Sequence, residues 1–336
     1  MTGNRPVIIW LISGCLLIFI MVIIGGITRL THSGLSMSTW SLIGGAIPPL
    51  NTSEWIDAFN IYKTTPEFLK INSHFTLSDF KSIFFWEYLH RLIGRFLGLV
   101  FIIPFVYFLI KKKLSKKLIK QSLILFSLGG LQGGIGWWMV KSGLVNRPDV
   151  SHYRLAVHLI TAFLTCAYTF WVALPLIITN KQTENYKLFR LNLTLLILVV
   201  IQIVYGAFVA GLDAGRGFNT WPKMGDKWIA DSVCQLEPFW RNFIEAPYGI
   251  QFIHRTLAMI IVGFILYLWF YSRKVKINDL QKKSLNLLLG VVVFQTLLGI
   301  FTLVLLVPIS LALAHQIGAF FLLISVVFSL FLFRRP

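Results

Sequence analysis

Four histidines recur at matching places in the two halves of a 336-residue chain, each inside a stretch apolar enough to cross a membrane. One motif pair is Glu87-Tyr88-Leu89-His90-Arg91 against Gln251-Phe252-Ile253-His254-Arg255. The other is His158-x-Ile160-x-Ala162-Phe163 against His315-x-Ile317-x-Ala319-Phe320. An ionisable side chain in hydrocarbon is expensive, so membrane-embedded histidines mark functional chemistry by default. Neutral imidazole is a metal ligand, and a duplicated pair implies two metal or cofactor sites, one per half.

The elements that position these residues are membrane spans. The chain is 56% hydrophobic and 13% charged, with a mean hydropathy of +0.74, whereas a soluble domain is about a quarter charged. Apolar stretches run over 7–27, 86–110, 118–140, 154–178, 190–212, 249–272, 284–307 and 309–333. Each is near the ~20 residues a helix needs to cross the hydrocarbon core. The fold class is therefore an all-α integral membrane protein of eight transmembrane helices.

A net charge of +18 would suit nucleic acid, but its distribution excludes that partner. Lysine and arginine gather in alternate connections, at 111–120, 181–190 and 273–283, and in the terminal pair Arg334-Arg335. Acidic residues gather in the intervening loops, among them Glu54, Asp57, Glu67 and Asp79, then Asp213, Asp226, Asp231, Glu237 and Glu245. Basic loops stay cytoplasmic, which predicts both termini inside and two large loops outside. The first span is not followed by a small-residue cleavage site, and no Arg-rich, Ser-rich leader precedes it. The expected location is thus a bacterial cytoplasmic (inner) membrane. Cys15 and Cys166 lie in spans and read as small apolar packing groups, and Cys234 lacks a loop partner.

The halves are a repeat. Gly25, Gly34, Thr39 and Trp40 return as Gly206, Gly215, Thr220 and Trp221, all offset by 181. The pair His90/His254 is offset by 164, Gln132-x-x-x-Gly136/Gln295-x-x-x-Gly299 by 163, and His158/His315 by 157. Four crossings return the chain to its starting side, so the duplication is parallel, about an axis along the membrane normal. Two pseudo-symmetric four-helix bundles are expected, residues 1–180 and 181–336. Gln-x-x-x-Gly recurs at Gln202 and Gly206, with Met21 and Gly25 in the remaining copy. Such spacings serve close helix packing, and packing alone is the expected role.

All four histidine-bearing spans run from outside to inside, and each histidine falls within roughly two turns of the outer end of its span. Two imidazoles at one level in one bundle can grip both faces of a porphyrin iron. Zinc needs three or four ligands, and each half offers two. His32, His74 and His152 have no counterparts in the other half and belong to solvated outer loops. Arg91 and Arg255 suit either a haem propionate, through a bidentate contact, or outward snorkelling.

The asymmetry is informative. Glu87 shares a helix face with His90, and its counterpart Gln251 cannot exchange a proton at ordinary pH. Glu87 either works as an acid–base group or pairs with Arg91, Arg95 or a protonated histidine. The first half then does chemistry and the second holds a resident, electron-handling haem.

At these residues the chain resembles heme A synthase, over essentially its whole length: eight helices, two repeats, Glu87-x-x-His90-Arg91 and the later histidines. The resemblance implies that His90 and His158 bracket the substrate haem O, that His254 and His315 ligate a haem b cofactor, and that Glu87 matches the family's functional glutamate. It implies successive oxidation of one porphyrin methyl to formyl, through an alcohol and a hydrated aldehyde. A haem O-forming protohaem farnesyltransferase and an electron partner follow as companions. Loop cysteine pairs of the Bacillus-like branch are missing, which points to the mitochondrial and alphaproteobacterial branch without a thiol step. Two other readings are a di-haem cytochrome b or ferric reductase, and a haem carrier without chemistry. The first places its haems on opposite membrane sides, and the second has no use for Glu87.

Overall fold

The computed structural model describes residues 4–37, 44–144, 148–180 and 182–334. Thr39 and Trp40 of the repeat, Lys181 and Arg335 lie outside them. Eight helices long and apolar enough to span a membrane are present among the described residues: α1 (Arg5–Leu30), α4 (Leu77–Ile110), α5 (Lys116–Lys141), α6 (His152–Ile177), α7 (Tyr186–Gly211), α8 (Pro247–Ser272), α9 (Asp279–Val304) and α10 (Ile309–Phe333). Two short helices, α2 (Thr52–Tyr62) and α3 (Pro66–Lys70), sit in the first long loop. The protein is a multi-pass, all-helical membrane protein.

Local chemistry sets where the helices begin. Ser115, Asn185 and Asn278 each accept a hydrogen bond from a backbone N–H of the first turn that follows, in α5, α7 and α9. These groups would otherwise be orphaned. Asn278 with Gln281 forms a full capping box, as Thr76 with Asp79 does for α4.

That box corrects the expected start of the second span. The apolar run begins at 86, but α4 starts at Leu77, because the cap and an aromatic face extend it outward. Phe80, Ile83 and Phe84 of this extension pack with Phe59 and Tyr62 of α2, joined by Trp55 and Phe68. His90 therefore stands about three and a half turns from the helix start, not two. The outer loop is docked as an aromatic cap directly above Glu87.

The chain divides into two compact units, Met1–Cys166 and Ala167–Pro336, the division falling within α6. In the first, α1 packs along α4 and α4 touches α5. In the second, α7 packs on α8, α8 on α9, and α10 lies against both α9 and α7. The second unit's outer loop is knitted by buried Asn242, which accepts from the amides of Gln235 and Leu236 and donates to the carbonyls of Leu236 and Phe239. All the polar capacity of that side chain is used, as burial requires. The turn between α9 and α10 is made by Leu306 and Val307, both left-handed at φ 65° and 61°. Cys15 and Cys166 approach each other across the first unit as free thiols, and Cys234 is free and exposed.

Candidate functional site

Each of the four histidines lies against a glycine of the preceding spanning helix. A Cβ at Gly25 of α1 would stand 3.1 Å from Cε1 of His90, and one at Gly136 of α5 would stand 3.1 Å from Cε1 of His158. The same contacts are 3.3 Å for Gly206 and His254, and 2.8 Å for Gly299 and His315. The absent side chain is the space the imidazole fills. Packing alone had been the expectation for these glycines, and what they pack is the histidine ring.

The glutamines one turn earlier take part too. Gln132 donates to the carbonyl of His158 at 2.8 Å, with its amide nitrogen 3.1 Å from Nδ1. Gln295 treats His315 alike, at 3.0 and 3.1 Å. Gln202 donates to the carbonyl of His254 at 3.0 Å and lies 3.5 Å from its Nε2. Thr161 donates to the Oε1 of Gln132 at 2.6 Å, bracing it. The signal was the three-fold recurrence of glutamine at one spacing before a glycine, which packing does not require.

In the second unit the imidazoles of His254 and His315 have centroids 6.4 Å apart and planes at 82°. Two imidazole–metal bonds of about 2.0–2.1 Å, plus about 1 Å from each nitrogen to its ring centre, place such centroids about 6 Å apart. The pair is thus spaced to share one metal ion. Nδ1 of His90 and Nδ1 of His254 are buried with no hydrogen-bond partner, a costly condition. In the first unit His90 and His158 are close enough to interact electrostatically. Among the described residues no group of three or more His, Cys, Asp or Glu gathers to hold a metal, so the donors come as imidazole pairs, which a porphyrin iron accepts.

Glu87 is 3% exposed. Its Oε1 pairs with Arg91 at 2.6 Å, and its Oε2 accepts from Ser36 Oγ at 2.7 Å and the Met37 amide at 2.8 Å. The ion pair with Arg91, one of the pairings open from sequence, is present. Arg91 also donates to the Met37 carbonyl. Gln251 instead donates to the Phe218 carbonyl at 3.1 Å, and its Oε1 is buried without a partner. Phe218 is the repeat counterpart of Met37, and Gly217 that of Ser36. A Cβ at Gly217 would collide with the Tyr248 ring, so a serine there would require that ring to move. Ser36 escaped the sequence analysis; its signal was the joint exchange of Ser36/Glu87 for Gly217/Gln251.

Arg255 donates to the carbonyls of Thr220, Pro222 and Lys223, and its Nη1 is buried without a partner. Both arginines thus clasp the outer loop beside their histidine rather than pointing away. His32 is exposed after α1, His74 packs on Phe75, and His152 stacks on Tyr153 at the start of α6.

The units differ in free space as well. Gly129 and Gly133, on the α5 face that carries Gly136, meet nothing within 4 Å of a would-be Cβ. Their counterparts by the same offset are Val292 and Thr296, and Val292 is fully packed at 2% exposure. Above Glu87, the loop carboxyl of Glu67 is buried and accepts from Tyr62 Oη at 3.1 Å, while Asn72 donates to that same oxygen at 2.9 Å. Burial pushes the Glu67 carboxyl up to about 7, and the charge of Glu87 adds to the rise.

Among the described residues, eight spans carrying two imidazole pairs, each seated against glycine and only one flanked by a buried carboxylate, have the donor set of a membrane haem protein. Residues 8–327 match the family model described as cytochrome oxidase assembly protein, COX15-CtaA, and the chain belongs to that family. It is 49% identical over the full length of both chains to a protein of Flavobacterium psychrophilum named heme A synthase. It is 50% identical to the heme A synthase of Flavobacterium johnsoniae, over 97% of each chain. The heme A synthase COX15 of Arabidopsis thaliana is 42% identical over 98% of this chain and 74% of its own length.

Proposed function

We propose that the chain is a heme A synthase in which the first unit binds and oxidises haem O and the second holds a resident haem. The activity converts one porphyrin methyl of haem O to an alcohol and then to a hydrated aldehyde. Each step takes up one water and releases two protons and two electrons to the electron acceptor, and the hydrate loses water to leave the formyl group of haem A. The observation that carries the assignment of halves is the coupled exchange of Ser36/Glu87 for Gly217/Gln251 beside otherwise matching histidine–glycine walls. The bare glycine face of α5 supports it, since a bulky substrate that must enter and leave needs room that Val292 denies in the other half.

His90 and His158 hold the substrate, and Glu87 stands one helical turn from His90. Three donors converge on that carboxylate and fix its position. Glu87 therefore acts as a fixed negative charge that stabilises positive charge developing at the reacting carbon, rather than as a mobile base. Arg91 holds it in place. His254 and His315 would hold haem b, with the free Nη1 of Arg255 suited to a propionate. Haem b bound there would supply one-electron transfer. The first outer loop docks on α4 through its aromatic cluster, on the turns that precede Glu87.

The basic connections put both termini on the cytoplasmic side of a bacterial inner membrane, with the histidines toward the outer face. A protohaem farnesyltransferase supplies the substrate, and an electron acceptor drains the second site. The test is to make the protein together with a haem O-forming farnesyltransferase and chromatograph the extracted haems. Haem A is expected. Haem O alone, with protein present and haem-loaded, would overturn the reading in favour of a carrier.

A further inference from the structure

Three of the four histidines are held by a glutamine, and the fourth is not. Gln132, Gln202 and Gln295 each donate to the carbonyl of the histidine on the next spanning helix and lie against its ring. At the matching position before Gly25 stands Met21, whose methyl rests 3.5 Å from a would-be Cβ of Gly94, a turn beyond His90. The glycine wall survives intact at His90, and Nδ1 of that ring is buried with no partner, as Nδ1 of His254 also is, so what sets His90 apart is the missing glutamine. A thioether offers no hydrogen to a carbonyl and only a weak acceptor to a ring N–H.

We infer that Met21 makes His90 the releasable axial ligand of the first site, so that substrate haem exchanges there while Gln202 and Gln295 lock the haem of the second. This rests on the reading of His90 and His158 as the substrate pair. Residues that hydrogen-bond a metal-binding histidine fix its ring, and losing them costs about 10–100-fold in affinity. A site that turns over must let go of its product iron, and a permanent site must not. One unheld ligand opposite one held by Gln132 meets the first need; two held ligands meet the second. Met21 and the glutamines are positioning residues on this account, acting through the imidazoles.

The experiment uses the full-length protein, made with a haem O-forming farnesyltransferase and purified in detergent. Loss of each bound haem to an excess of haem-scavenging apoprotein is followed over time, the haems being separated by chromatography. Met21→Gln is expected to slow release of farnesylated haem about 10–100-fold and leave haem b retention unchanged. Gln132→Met is expected to speed farnesylated haem release by a similar factor, and Gln295→Met to speed haem b loss alone. The haem not targeted in each variant reports the fold. Unchanged farnesylated haem release in a haem b-replete Met21→Gln protein overturns the inference, as does unchanged release in Gln132→Met should Met21→Gln fail to fold. Wild-type protein that binds no farnesylated haem sinks the functional reading instead, a separate result.

Discussion

Replacing Glu87 with glutamine gives the first unit the side chain that the second already carries. The carboxylate accepts from Arg91 at 2.6 Å, Ser36 at 2.7 Å and the Met37 amide at 2.8 Å. The amide keeps one acceptor oxygen and turns an NH2 toward either the guanidinium or the Ser36 hydroxyl and the Met37 N–H. Breaking a buried ion pair from one side costs about 3–5 kcal/mol, and the side chains here are 4% and 13% exposed. Arg91 retains its bond to the Met37 carbonyl, which places the loss toward the lower end, about 3 kcal/mol. If that same charge offsets the positive charge developing at the methyl carbon, the loss appears in the barrier, at about 1.4 kcal/mol per factor of ten. Haem A formation should thus fall by about two orders of magnitude, with haem content near normal. The assay is chromatography of extracted haems beside the visible spectrum of the purified variant. Undiminished haem A from Glu87→Gln would refute the argument. Glu87→Asp separates charge from reach: it keeps the charge but draws it about 1.5 Å back from Ser36 and Met37, so an intermediate yield is expected.

Four further variants can be checked. Gly299→Ala puts a Cβ 2.8 Å from Cε1 of His315, which should displace the ring and empty the second site. Gly263→Ala, where nothing lies within 4 Å, should leave haem b content unchanged, as read from its absorption. Gln251→Glu sets a carboxylate against the Phe218 carbonyl with no Ser36 equivalent, so it should lower thermal stability without creating a second oxidising site. Glu67 has its carboxyl raised to about 7 from the usual 4.5, so the folded form holds the extra proton between those values. Its contribution to stability is complete below pH 4.5 and is lost as pH rises through about 7, a fall of about 3 kcal/mol. Glu67→Gln should flatten that part of the unfolding-temperature profile in detergent, and a profile as steep as wild type would contradict the assignment.

The spans, the duplication, the four histidines and the Glu87/Gln251 difference were legible in sequence, because each is a property of residue type and spacing. Hydrocarbon demands about twenty apolar residues per crossing, and a repeat announces itself by constant offsets. The start of α4 at Leu77 was not legible, since its outer turns are held by the Thr76 cap and by aromatic contacts with α2 rather than by hydropathy. The glutamine and glycine partners of the histidines were visible as a pattern but not as a function. One spacing serves helix packing and ligand seating alike, and which it serves depends on what the neighbouring helix presents. Only the folded chain brings Ser36 and the Met37 amide onto Glu87, fifty residues away. Sequence determines which side chains must avoid or endure the membrane. Tertiary contact decides which of them are satisfied: Glu87 is, whereas His90, His254, Arg255 and Gln251 each keep a buried polar atom without a partner.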